Sequence, residues 1–176
     1  MSRSFCLLIV LAVSGPADAQ RSPRDAFGWL SAGVGPSTAG GTAVTLAIAG
    51  GRRANAVGLR YGRAEGASVN FLTDFPDDGD LSLVADLSVL YGRRVRRGPV
   101  VLTGWTGLGL ATAERWEVAR PGDASISTTR SVALPLQVDA VLNPTGPLGL
   151  GLRGTAVVGP AVRTASVHVV LSVGTH

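Results

Sequence analysis

The chain has 176 residues, 45% of them AVILMFWYC and 16% charged, with 24 Gly, 10 Pro, one Cys and a mean hydropathy of +0.30. These values exclude a disordered, collagenous or disulfide-framed protein, and the length suits one ordinary domain or one small closed barrel. All 16 basic residues are arginines against nine Asp and three Glu, a net charge of +4, while aromatics are only 5%. The stacking surface that a nucleic-acid partner needs between its arginines is missing, so no such partner is expected.

The amino end reads as an export signal. Arg3 precedes the nine-residue apolar run FCLLIVLAV, and SGPADA then places small residues at Ala17 and Ala19. This is the charged, apolar and small-residue order of a secretory signal peptide, with cleavage expected after Ala19. The run is too short to cross a bilayer as a helix. Cys6 leaves with residues 1–19, so the mature chain has no thiol chemistry and no Cys-ligated metal. Residues 20–26 form a short N-terminal segment, and 27–176 form a single β-barrel domain.

From there on, apolar residues recur at every second position between Gly and Pro, which is strand periodicity. Eight strands are predicted: 27–35, 41–50, 53–63, 81–92, 100–113, 131–142, 147–158 and 163–174. Their lengths suit tilted strands crossing a bilayer, for which about 9–11 residues are needed. The fourth strand sets Leu81, Leu83, Ala85, Leu87, Val89 and Tyr91 on one face. The sixth does so with Val132, Leu134, Leu136, Val138, Ala140 and Leu142, and the eighth with Ala165, Val167, Val169, Leu171 and Val173. The opposite faces are mostly Gly, Ala, Ser and Thr with about one charge per strand.

A soluble barrel would turn its greasy face inward and carry a dense mixture of charges outside. Small residues suit a crowded lumen better, since eight strands enclose a space only just wide enough for side chains. The greasy face is therefore assigned to lipid and the small polar face to the lumen. Arg60 and Asp86 then lie on inward faces of neighbouring strands, as do Asp139 and Arg153, and a plausible register pairs each couple in a buried ionic plug. Gln137 and His168 are read as polar lumen fillers. Tyr61 and Tyr91 fall on the lipid face toward opposite ends, as interfacial aromatics. Pro135, inside a strand with no free edge, calls for a local bulge.

The connections alternate in length. The odd-numbered ones hold about 5, 17, 17 and 4 residues and the even-numbered ones about 2, 7 and 4, so both long loops, 64–80 and 114–130, emerge on one side. GGRR, GRRVRRGP and NPTGP are short turns on the other side, where most turn arginines gather. With this strand count, alternation and loop asymmetry, the chain resembles the small outer-membrane β-barrel superfamily, the OmpA/OmpX-type eight-stranded proteins. That resemblance implies an all-β, antiparallel up-and-down transmembrane barrel closed between its first and last strands. It also implies insertion by the barrel assembly machinery into the outer membrane of a Gram-negative-type bacterium. The chain departs from that superfamily in ending on Gly174, Thr175 and His176 rather than on a lipid-facing aromatic.

Few groups offer chemistry. Ser166 and His168 share a face, but two residues along one strand stand too far apart for routine hydrogen bonding, so no catalytic pair is expected. Asp74, Asp77, Asp78 and Asp80 lack the spacing of a calcium loop and read as a solvated turn. Phe71, Phe75 and Trp116 sit in the two long loops. The expected protein is a non-enzymatic monomer without cofactor that contacts outer-membrane lipid and lipopolysaccharide and serves envelope integrity or surface contact. Eight strands with two lumen ion pairs leave little bore for a diffusion pore. The alternatives from other classes are a soluble, lipocalin-like periplasmic barrel around an apolar ligand and a lipid-modifying enzyme.

Overall fold

A computed structural model describes residues 26–66, 81–120, 123–143 and 147–175. Residues 1–19, read above as an export signal, the Asp74–Asp80 cluster, Phe71 and Phe75 lie outside these. Eight strands run in chain order: β1 (Ala26–Pro36), β2 (Gly40–Arg52), β3 (Asn55–Gly66), β4 (Leu81–Arg97), β5 (Val100–Arg120), β6 (Asp123–Leu142), β7 (Leu148–Val158) and β8 (Arg163–Thr175). Every strand pairs antiparallel with its sequence neighbours, and β8 returns to β1, closing an up-and-down barrel.

Closure carries a fixed stagger. Moving from pair to pair, Ala26 leads to Arg52, Asn55, Arg93, Gly104, Val138, Gly154 and Val167. The β1–β8 register between Val34↔Val169 and the Ser37↔Ser166 bridge then returns the path to Pro36, ten residues beyond its start. A stagger of ten over eight strands tilts them by about 40° to the barrel axis. Tilt and stagger are thereby set by the alternating pattern, because a one-residue slip anywhere would exchange every inward and outward side chain.

The strands extend the alternation seen in the sequence. In β8, Ala165, Val167, Val169, Leu171 and Val173 are exposed, while His168, Val170 and Ser172 are buried. The β2–β3 turn is the pair Arg53–Ala54 and the β4–β5 turn is Gly98–Pro99. Each has its first residue at φ 59°, the left-handed region that matches the twist of a tight hairpin and that glycine occupies at least cost.

Three expectations are corrected. Residues 114–130 are not a loop: β5 and β6 continue as a ladder from Glu114↔Thr128 to Arg120↔Asp123. This hairpin rises past β7, whose pairing with β6 stops at Leu134↔Val158. There charged, hydroxyl and small residues outnumber the large apolar ones, Trp116, Val118 and Ile126, so the apolar alternation thins out although Val, Ile and Thr still favour extended backbone. Arg93–Arg97 likewise belong to β4 and pair with Val100–Gly104. Pro135 makes no bulge either. The β5–β6 register passes unchanged from Thr106↔Leu136 to Gly109↔Ala133, with no rungs at Gly107 and Leu108. The missing proline N–H removes hydrogen bonds without shifting the strand.

Candidate functional site: the lumen and the outer belt

The interior is stacked in three layers. Nearest the termini, Phe27, Trp29, Ala49, Ala56, Leu90 and Trp105 form an apolar cluster. Phe27 stacks on Trp29 at 5.5 Å and Trp29 meets Trp105 edge-on at 5.9 Å. Both tryptophans point inward. Arg94 covers Phe27 at 4.2 Å and caps this layer. Nearest the far rim, Ala43, Ala64, Val84, Ala111, Ala113, Ala133, Val157 and Val162 make a layer of small side chains.

The ionic layer lies between them. Asp139 and Arg153 face each other in the β6–β7 register, and Arg153 Nε donates to Asp139 Oδ1 at 2.7 Å. The same carboxylate accepts from Trp105 Nε1 at 2.9 Å and from Gln137 Nε2 at 2.9 and 3.1 Å. Arg153 reaches across the lumen, donating through Nη2 to Ser31 Oγ at 2.7 Å and through Nη1 to Thr45 Oγ1 at 3.2 Å. Arg60 stands one outward pair away from Asp86, opposite Ser88, and its Nη2 donates to Asp86 Oδ2 at 2.5 Å. Ser88 Oγ donates to the same oxygen at 2.7 Å. Arg60, Arg153 and His168 are each no more than 1% exposed. The two arginine charges are tolerable away from water only because each is paired with a carboxylate and hydrogen-bonded.

Ser166 Oγ lies 2.7 Å from His168 Nε2 and 2.7 Å from Thr155 Oγ1. The expectation that two residues along a strand stand too far apart fails here, as it does for Ser88 with Asp86 and Gln137 with Asp139. In so narrow a lumen the side chains lean along the strand and converge. No carboxylate contacts the imidazole among the described residues, so the group lacks the third member that orients a base. No cluster of His, Cys, Asp and Glu suited to a metal exists among them. A cavity of about 20 Å³ is lined by Thr45, Arg60, Asp86, Thr155, Ser166 and His168 among others. That is space for about one water molecule. Arg60, whose Nε and Nη1 have no partner among the described residues, is part of its wall.

The outside is the reverse of the inside. Twenty-nine large apolar side chains are exposed among the described residues, and they run round all eight strands. On β6 the outward residues from Val132 to Leu142 are apolar without interruption. Ten residue steps span about 33 Å along the strand, or about 25 Å along the axis at a tilt of about 40°. The belt ends at Arg63, Glu114, Arg130 and Arg163 toward the far rim and at Arg52, Asn55 and Arg93 toward the termini, none of them buried. Tyr61 and Tyr91 are exposed within it, one outward position from Arg63 and Arg93 respectively. No helix is long and apolar enough to cross a membrane among the described residues, which has no bearing on strands.

A closed eight-stranded barrel with a side-chain-filled lumen, ionic at its centre, and an apolar exterior is the architecture of small outer-membrane β-barrels. Its fold is similar to that of Ail, the attachment invasion locus protein of Yersinia pestis, solved with the heparin analogue sucrose octasulfate. That match has a TM-score of 0.53 and 14% identity and covers 86% of this chain and 99% of Ail. Neisserial surface protein A matches with a TM-score of 0.52 and 15% identity over 84% of this chain and 96% of its own. The N-terminal β-barrel domain of Pseudomonas aeruginosa OprF matches at 0.50 and 10% identity over 85% and 97%. At these identities the likeness is one of fold. No protein-family model and no curated protein sequence matches the chain.

Proposed function

We propose that the chain is an integral outer-membrane β-barrel protein of a Gram-negative-type bacterium, a non-enzymatic anchor with a side-chain-filled lumen. The observation that carries this reading is the apolar belt on all eight strands, free of outward charges between the two rims, around a lumen that buries Arg60, Asp86, Asp139 and Arg153. Soluble monomers rarely expose contiguous apolar patches beyond a few hundred Å². A band about 25 Å tall with aromatics at its borders is what a lipid-facing barrel presents. Ail, similar in fold, is described as an outer membrane protein and has been solved in a phospholipid bilayer nanodisc. In this reading residues 1–19 direct export, the barrel assembly machinery inserts the chain as a monomer, and the termini face the periplasm. The β5–β6 hairpin and the connection after β3 then meet lipopolysaccharide and the exterior, serving envelope integrity or surface contact.

Fractionation tests this directly. The protein should be extracted only with detergent, migrate differently on a gel before and after heating, and give no sustained ohmic conductance in planar bilayers. Release by osmotic shock refutes the membrane assignment. A steady open pore refutes the filled lumen. An apolar ligand inside a soluble barrel has no support in an interior holding Arg60, Asp86, Asp139 and Arg153.

A further inference from the structure

The rim that carries both chain ends holds Arg52, Arg53, Arg93, Arg94, Arg96 and Arg97, and no Asp or Glu among the described residues. The far rim, by contrast, mixes Arg63, Arg115, Arg130 and Arg163 with Glu65, Glu114 and Glu117. Two of the six near-rim arginines have local partners: Arg94 lies over Phe27, and Arg96 Nε donates to Gly98 O at 3.2 Å. The remaining four, Arg52, Arg53, Arg93 and Arg97, are exposed and form no ion pair among the described residues. So much like charge on one rim repels itself unless anions from outside the chain approach it.

Two of these arginines are placed more specifically. Arg52 pairs with Asn55, and Asn55 with Arg93, so the three form one row across β2, β3 and β4. All three are exposed, and they share the outward phase of Ile48, Val57 and Tyr91. Cross-strand neighbours stand about 5 Å apart, which puts the two arginine stems about 10 Å apart on either side of Asn55. Asn55 Oδ1 accepts the Tyr91 hydroxyl at 3.0 Å, and its amide group adds N–H donors to the row. Directly toward the middle of the belt come Val57 and Tyr91, with Ile48 one outward position further past Gly50, each of the three more than half exposed. The row thus offers guanidinium and amide donors immediately beside an apolar wall.

A ligand that satisfies both parts has a phosphate at one end and hydrocarbon at the other. A soluble polyanion would meet the arginines and leave the wall unused. We propose that Arg52, Asn55 and Arg93 bind the phosphate of an anionic phospholipid whose chains lie along Ile48, Val57 and Tyr91. The terminus-bearing rim is then held at the level of the head groups. Guanidinium suits this task because it stays charged and meets phosphate oxygens in a planar fork. The inference rests on the membrane reading above.

The test refolds the full chain into phosphatidylcholine vesicles carrying a trace of spin-labelled lipid, and reads the immobilised lipid component by electron spin resonance. Labelled phosphatidylglycerol should be enriched in that component several-fold over labelled phosphatidylcholine. The enrichment should fall to parity in the Arg52→Gln/Arg93→Gln variant. It should also fall to parity for the unmodified chain in molar salt, where the screening length is about 3 Å. An immobilised component without preference, or a preference that survives the substitutions, overturns the proposal and leaves the membrane reading intact. No immobilised component for either lipid overturns the membrane reading itself. Should the double variant not fold, salt decides alone, and a preference persisting in molar salt refutes the phosphate contact.

Discussion

Replacing Asp139 by Ala should cost about 3–5 kcal/mol of folding stability, the usual penalty for removing one partner of a buried ion pair. The carboxylate accepts from three side chains, Trp105, Gln137 and Arg153. Without it Arg153, 1% exposed, keeps only the neutral hydroxyls of Ser31 and Thr45. Trp105 Nε1 also loses its acceptor, a loss that alone is worth about 1–3 kcal/mol and overlaps with the first. Asp86→Ala should cost less, because Arg60 borders a cavity that admits water. The double substitution Asp139→Ala/Arg153→Met removes both charges and should recover most of the loss. Urea unfolding of the protein in detergent, followed by tryptophan fluorescence and by the heat-sensitive gel band, measures all three. A loss below about 1 kcal/mol for Asp139→Ala, or a double variant no more stable than the single, refutes the reasoning.

Other consequences follow from packing. Trp29→Ala opens the terminal aromatic layer and should lower stability by about 3–5 kcal/mol in the same unfolding assay. A β-carbon at Gly92 would run into the Trp105 ring and the Gly104 carbonyl, so Gly92→Ala should cost about 1–3 kcal/mol. At Gly154 a β-carbon meets nothing within 4 Å, so Gly154→Ala should change stability by less than about 0.5 kcal/mol. Ser166→Ala should leave the hydrolysis of short-chain nitrophenyl esters by the purified protein at the level of the unaltered chain. A clear drop would instead assign catalysis to the Ser166–His168 contact.

Strand count and facing were legible because lipid on one side and a cramped lumen on the other impose opposite demands on alternate residues. That pressure acts on Leu134 and Asp139 in one strand and on Val167 and His168 in another. Where it stops, the signal stops. In β5 beyond Glu114 and in β6 before Arg130 only Trp116, Val118 and Ile126 are large and apolar, too few for the hydropathy to separate a hairpin from a loop. The arginine-rich end of β4 looks like a turn for the same reason. The tryptophans were ambiguous because Gly28, Gly33, Gly104 and Gly107 interrupt the apolar pattern of β1 and β5. The Ser166–His168 contact depends on lumen width, a property of the closed ring that no single strand encodes.

The meeting of β1 with β8 has a consequence for how the polypeptide reaches its final form. Gly28 pairs with Thr175 across nearly the whole chain, and a β-carbon at Gly35 would collide with the Val167 backbone, so this join admits no side chain at that point. Contacts this remote in sequence form slowly, and until they form two naked strand borders stay open to wrong partners. Loss of a few residues from either margin should therefore be felt as failure of the whole, since an unsealed cylinder has no stable partial version.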